Sequence, residues 1–187
     1  GDNSVLDGYG IRRPFILSLC TLRPKKNVGT TVAAFAELKR RGAPHQLVLV
    51  GDKAPGYTEV DERIAELGPS GDVVQTGFVS ASHVPEFYRG AELLVFPSFH
   101  EGFGLPVAEA QASACPVVAT NAFSIPEVSG GAAELVDDPR SVDEVSERAW
   151  KVLSDDEHRS SLVERGLENV RRFRWDRIID DTLLAYS

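Results

Sequence analysis

The sequence predicts an α/β domain: a mostly parallel sheet with helices on both faces. Short apolar runs recur at 15–20, 46–50 and 93–96, each followed by a stretch long enough to return through a helix. The runs are apolar throughout instead of alternating, as in strands buried on both faces. Gly42, Gly51, Gly68-Pro69 and Gly77 fall where one element should stop and the next begin.

Taken in order, residues 1–13 read as an extended linker, with Gly1, Gly8 and Gly10 among few apolar residues. The first central strand spans 15–20. After a loop through Pro24, a helix is predicted over 28–41, with Asn27 as N-cap and Gly42 as stop. Residues 46–50 form the second strand, closed by Gly51-Asp52, and 58–67 an amphipathic helix. A short strand over 73–75 ends at Gly77-Phe78-Val79, and Ser82 caps a short helix through Tyr88 with Pro85 in its first turn. The strand at 93–96 leads through a glycine turn into a helix from Leu105 to near Cys115. A strand over 116–120, a helical turn at 126–128 and an edge strand at 134–136 follow. Three helices close the chain, two of them announced by the capping-box pairs Ser141/Glu144 and Ser154/Glu157, the last beginning near Trp175.

At 187 residues the chain is one domain, large enough to bury a core. No apolar run approaches the roughly 18 residues that span a bilayer, and no signal peptide is visible. The chain opens on Gly1 and contains no methionine, as expected of a piece cut from a longer protein. Cys20 and Cys115 sit in apolar settings and read as reduced, buried thiols of a cytoplasmic protein, without disulfide or metal role. The net charge of −8 argues against nucleic acid as a partner. The charge is unevenly spread: residues 1–50 carry eight Lys/Arg against three Asp/Glu, a balance of +5, and the remainder is −13. The basic excess includes Arg23, Lys25 and Lys26, just past the first strand.

The stretch 97–109, P-S-F-H-E-G-F-G-L-P-V-A-E, carries the chemistry. It leaves a buried strand, turns through Gly102 and Gly104, and enters a helix at Leu105 with Pro106 in the first turn. The N–H groups of Phe103, Gly104 and Leu105 therefore lie at a helix N-terminus, where the macrodipole favours an anion. Glu101 and Glu109 bracket that position. A phosphate cradle between two carboxylates suits a ligand with both phosphate and hydroxyl groups, such as a sugar nucleotide. Small neighbours around Glu109 (Val107, Ala108, Ala110, Ala112) predict a buried helix and hence a carboxylate that needs a partner.

The Glu-x7-Glu pattern with glycines and a proline between, together with T-L-R-P-K-K-N at 21–27, G-F-V at 77–79 and P-E-V at 126–128, resembles the donor site of retaining glycosyltransferases of family four. The resemblance runs from about Phe15 to the C-terminus and covers only the C-terminal half of such an enzyme. It implies a Rossmann-like domain, one half of a GT-B fold, binding a nucleotide diphosphate sugar over 15–187. The N-terminal acceptor domain would be missing, and 1–14 would be linker or remnant. Glu101 then reaches the hydroxyls of the transferred sugar and Glu109 grips the ribose. Lys26 contacts the diphosphate, and the main chain at Val79 holds the nucleobase. Arg23 and Lys25 are basic neighbours whose roles stay open, because the family's arginine after the first strand falls here at Thr21. Gly51 serves close backbone approach or is a turn glycine.

His100 is read as a bland loop residue and Glu127 as structural. No D-x-D marks a metal-held diphosphate, and no cofactor is implied. Neither a G-x-G-x-x-G after the first strand nor a G-K-[S/T] loop is present, which lowers the odds of nicotinamide, flavin or ATP hydrolysis. The implied enzyme moves a hexose, with GDP-mannose the favoured donor, to a glycan or lipid-linked acceptor in polysaccharide biosynthesis, and the fragment alone is expected to be inactive. A nucleotide-sugar epimerase-like domain and a non-catalytic nucleotide-binding regulatory module stand as alternatives. Peripheral membrane association of the intact enzyme and self-association of the fragment stay open.

Overall fold

The computed structural model describes residues 4–68 and 72–173. Six strands form one sheet: β1 Phe15–Leu19, β2 Gln46–Val50, β3 Val73–Gly77, β4 Leu93–Phe96, β5 Val117–Thr120 and β6 Glu134–Val136. The order is β3-β2-β1-β4-β5-β6, and every pairing is parallel. The helices are α1 Ser4–Gly8, α2 Val28–Arg40, α3 Glu59–Glu66, α4 Val84–Gly90, α5 Leu105–Ala112, α6 Ile125–Ser129, α7 Val142–Ser154 and α8 Asp156–Asn169. The predicted α/β class and the Rossmann-like arrangement are thus observed.

β1, β2, β4 and β5 are buried almost without interruption, which explains their unalternating sequences. Strand order reverses between β1 and β4, and in open parallel sheets that switch point opens a crevice beyond the carboxyl ends of the strands. The loops after β1 and β4 carry Lys26 and Glu101, so the fold delivers both to one crevice.

Several local expectations are corrected. The opening segment is not a linker throughout: residues 4–8 form α1, and Leu6 and Ile11 join the core. Leu6 packs so closely on α4 that a Cβ at Gly90 would lie 2.7 Å from its Cδ1. Asn27 stands at the start of α2 with φ +53, yet its side chain does not cap the helix. Ser82 does not cap α4, which begins at Val84; its hydroxyl pairs with Ser80. α5 ends at Ala112, short of Cys115, where Ala114 takes φ +58. Ser141 caps α7 as expected, accepting from the Glu144 N–H, but Glu144 reaches back to the N–H groups of Asp137 and Asp138. Asp155, not Ser154, caps α8; Ser154 donates to the Trp150 carbonyl instead. The helix expected near Trp175 lies outside the described residues. Among those described, no helix is long and apolar enough to cross a membrane.

Candidate functional site

The crevice is assembled by backbone clamps that hold the loop after β1 against the loop after β4. Pro24–Lys26 form a single 3-10 turn, closed by Lys26 N–H to the Arg23 carbonyl at 2.9 Å and Asn27 N–H to the Pro24 carbonyl at 3.0 Å. The Lys25 carbonyl accepts from the Phe99 N–H at 2.9 Å and from the fully buried Ser98 hydroxyl at 3.0 Å. Asn27, released from capping, donates its amide to the Pro97 carbonyl at 3.0 Å and to the Pro139 carbonyl at 2.5 Å. Its carbonyl oxygen accepts from the Thr30 hydroxyl. Three loops are thereby tied by one side chain whose polar atoms are all used.

The clamps place Lys26 directly on Glu101. Nζ donates to Oε1 at 2.5 Å, and the two side chains are only 11% and 10% exposed. The ammonium also stands 5.1 Å from the Phe96 ring centroid, a cation–π distance. On the far side of the turn, the Ser124 hydroxyl lies within donating distance of the carbonyls of Glu101 (3.1 Å) and Phe103 (2.9 Å). It fixes the turn around Gly102 from both ends. Gly104 follows with φ +94, a conformation that favours glycine, and a Cβ there would lie 2.5 Å from Ile125 Cδ1 and would have to displace that methyl. At Gly102 a Cβ would meet nothing within 4 Å.

Two helix N-termini flank the switch point, and only one is open to a ligand. At α2, the Glu59 carboxylate already lies against the first turn, where a Cβ on Gly29 would be 2.4 Å from its Oε1. At α5, no side chain caps the N-terminus. The N–H groups of Phe103, Gly104 and Leu105 make no backbone hydrogen bond among the described residues. These amides therefore stand unused at the N-terminus of α5, in the turn that follows Glu101. The side chains of Phe103 and Leu105 are themselves exposed.

Glu109 departs from expectation. The buried face of α5 is Val107, Ala110 and Gln111, which leaves Glu109 on the exposed side. It is not without a partner: the Tyr88 hydroxyl donates to its Oε2 at 2.9 Å. Both line a cavity of about 270 Å³ with Val84, Pro85 and Ser113. Burial, and then the Glu109 carboxylate, pushes the Tyr88 phenol far above its ordinary range, so it stays a donor. Sequence reasoning missed Tyr88, Ser98 and Ser124, because each acts through an element distant in the chain.

The remaining residues divide. Arg23 and Lys25 have exposed side chains in the same loop. Val79 is buried, while its neighbour Phe78 is 75% exposed at the carboxyl end of β3. The Asp52 carboxylate accepts from the Phe78 N–H at 3.0 Å and so sets the course of that loop. Gly51 approaches its own chain: at φ +126, a Cβ would lie 2.1 Å from the Cys20 carbonyl oxygen. Gly51→Ala should therefore cost roughly 1–3 kcal/mol, visible as a lowered denaturation midpoint, through the β1–β2 junction and not through any ligand. His100 is exposed and packs edge-on to Phe123 at 4.2 Å. The Glu127 side chain is exposed, and its carbonyl accepts from Arg172. Burial pushes the Cys20 and Cys115 thiols up to about 12, which leaves them inert.

Strand order and switch point define a doubly wound α/β domain, with a basic loop, an acidic loop and an uncapped helix N-terminus at its carboxyl edge. The chain belongs to the family described as glycosyl transferases group 1, whose signature it matches over residues 10–169. It is 33% identical over 174 residues to O-antigen chain mannosyltransferase B of Escherichia coli, covering 92% of this chain and 45% of that protein. It is 32% identical to a GDP-mannose-dependent alpha-(1-6)-phosphatidylinositol monomannoside mannosyltransferase of Mycobacterium tuberculosis, covering 88% and 45%. Its fold matches the C-terminal domain of a glycosyl transferase group 1 family protein from Francisella tularensis with a TM-score of 0.79 at 23% identity, over 91% of each chain. The chain thus spans less than half the length of these two curated relatives.

Proposed function

We propose that this chain is the donor-binding half of a retaining glycosyltransferase that moves a hexose from a nucleotide diphosphate sugar to a glycan or lipid-linked acceptor. The observation that carries the reading is the Lys26–Glu101 pair at the switch point, beside an uncapped helix N-terminus. An ammonium and backbone amides there stabilise the negative charge that builds on a departing diphosphate. As the diphosphate engages Lys26, Glu101 is released from it and becomes an acceptor for sugar hydroxyls. Glu109 takes the ribose, and together the two acids orient the donor and lower the entropy of attack. No side chain of this chain acts as a nucleophile, and the acceptor and any further group come from the other half of the enzyme.

GDP-mannose is the donor we favour, because a similar protein carries GDP-mannose dependence in its name. Titrating UDP-, GDP- and ADP-sugars into the chain while recording amide NMR shifts tests this. Shifts at Lys26, Gly104 and Glu109 are expected with GDP-mannose, and no sugar transfer to an added acceptor. Silence from all three donors would remove the reading.

A further inference from the structure

Tyr88 is a buried polar group that the reading above does not use. It lies on α4, is 1% exposed, and turns its hydroxyl toward Glu109 of α5. Both residues line the adjoining cavity, but Tyr88 exposes almost none of its surface there, whereas Glu109 presents its carboxylate. Glu109 itself stands on the exposed face of its helix. A glutamate there has several rotamers open to it, and an unfixed carboxylate must give up that freedom to hold a diol. The Tyr88 hydroxyl takes one lone pair of Oε2 and leaves the rest of the carboxylate free to accept. The support comes from a rigid source, since Tyr88 is anchored in the core by its ring.

We propose that Tyr88 is a positioning residue that sets Glu109 for a vicinal diol and so makes the site select ribonucleotides over nucleotides lacking the 2′ and 3′ hydroxyls. The proposal rests on the donor-binding reading and adds to it where ribose selectivity comes from. Supported acceptors held in place recognise better than mobile ones, because the ordering is done before binding.

The test measures dissociation constants of GDP and of 2′,3′-dideoxy-GDP for the wild-type chain, for Tyr88→Phe, for Glu109→Ala and for the double variant. Wild type should prefer GDP by about tenfold or more. Tyr88→Phe, which keeps the buried ring, should weaken GDP about tenfold while leaving dideoxy-GDP unchanged, so the preference nearly disappears. In the Glu109→Ala background, Tyr88→Phe should change neither constant. A purely structural role would weaken both nucleotides alike and would overturn the proposal, as would an undiminished preference in Tyr88→Phe. Failure of GDP and of UDP or ADP to bind the wild type removes the underlying reading and this proposal with it. A second readout needs no variant. The Tyr88 hydroxyl proton should be a slowly exchanging NMR resonance that moves on adding GDP but not on adding dideoxy-GDP. If it stays still for both, the positioning role is refuted.

Discussion

Lys26→Ala should lower the affinity of the chain for a nucleoside diphosphate by up to about 100-fold and destabilise the free chain at the same time. The first effect follows from the loss of charge-assisted bonds to phosphate, roughly 1.5–3 kcal/mol, at tenfold per about 1.4 kcal/mol. The second follows from what is left behind. Lys26 and Glu101 are paired at 2.5 Å with about a tenth of each side chain exposed. Removing one member of a buried pair leaves the other charge uncompensated, at a cost near the lower end of about 3–5 kcal/mol, given the crevice beside it. Glu101→Gln separates the roles. It removes the group that competes with phosphate for the ammonium, so GDP alone should bind at least as well as in the wild type. The advantage of GDP-mannose over GDP should shrink, because the amide is a poorer acceptor for sugar hydroxyls. Calorimetric titration with both ligands reads this out. Normal GDP affinity in Lys26→Ala, or equal weakening of both ligands in Glu101→Gln, would sink the assignment.

Much of this site could be read from the chain alone, and the reasons are local. Strands buried on both faces advertise themselves as unbroken apolar runs, and a glycine turn ahead of a proline-started helix marks an open N-terminus. Thus the neighbourhood of Gly104 and the candidacy of Lys26 and Glu101 were legible. That Lys26 and Glu101 touch was not, because the contact depends on Asn27 and Ser98 bridging loops about 70 residues apart in sequence. The α5 helix misleads for a specific reason. Its small residues hide which face is inside, and the face turned inward carries a polar residue, Gln111, whose amide is satisfied by the carbonyls of Ser129 and Ala132. The carboxylate of Glu109 could therefore turn outward, against a pattern that suggested burial. The same limit hid α1: Leu6 and Ile11 are apolar residues in a largely polar stretch, and only the gap left by Gly90 shows why Leu6 folds back.

Glu134→Ala should cost about 3 kcal/mol, equivalent to roughly a 6–12 °C fall in Tm for a chain of this size, without altering nucleotide binding at neutral pH. Glu134 begins the edge strand β6 and is 8% exposed. Its carboxylate accepts from Lys151 at 2.8 Å, Arg148 at 3.0 Å and His158 at 2.6 Å, joining β6 to α7 and α8. Burial alone would raise its pKa, but Lys151, Arg148 and His158 outweigh it and hold the carboxyl below its ordinary value of 4.5. The folded-state value is depressed, so the ionised carboxylate stabilises the fold above the ordinary value and that stability drains away as pH falls through the folded one. Glu134→Gln keeps the shape and removes the charge. The Tm difference between wild type and Glu134→Gln should be full near pH 7 and narrow steadily below about pH 4.5, while other carboxylates titrate equally in both. Parallel Tm curves through that range would show that the cluster contributes no net charge stabilisation. The cluster ties α7 and α8 to the sheet by a route that does not pass through Lys26 or Gly104, so an altered GDP affinity in Glu134→Gln would mean the C-terminal helices also shape the crevice.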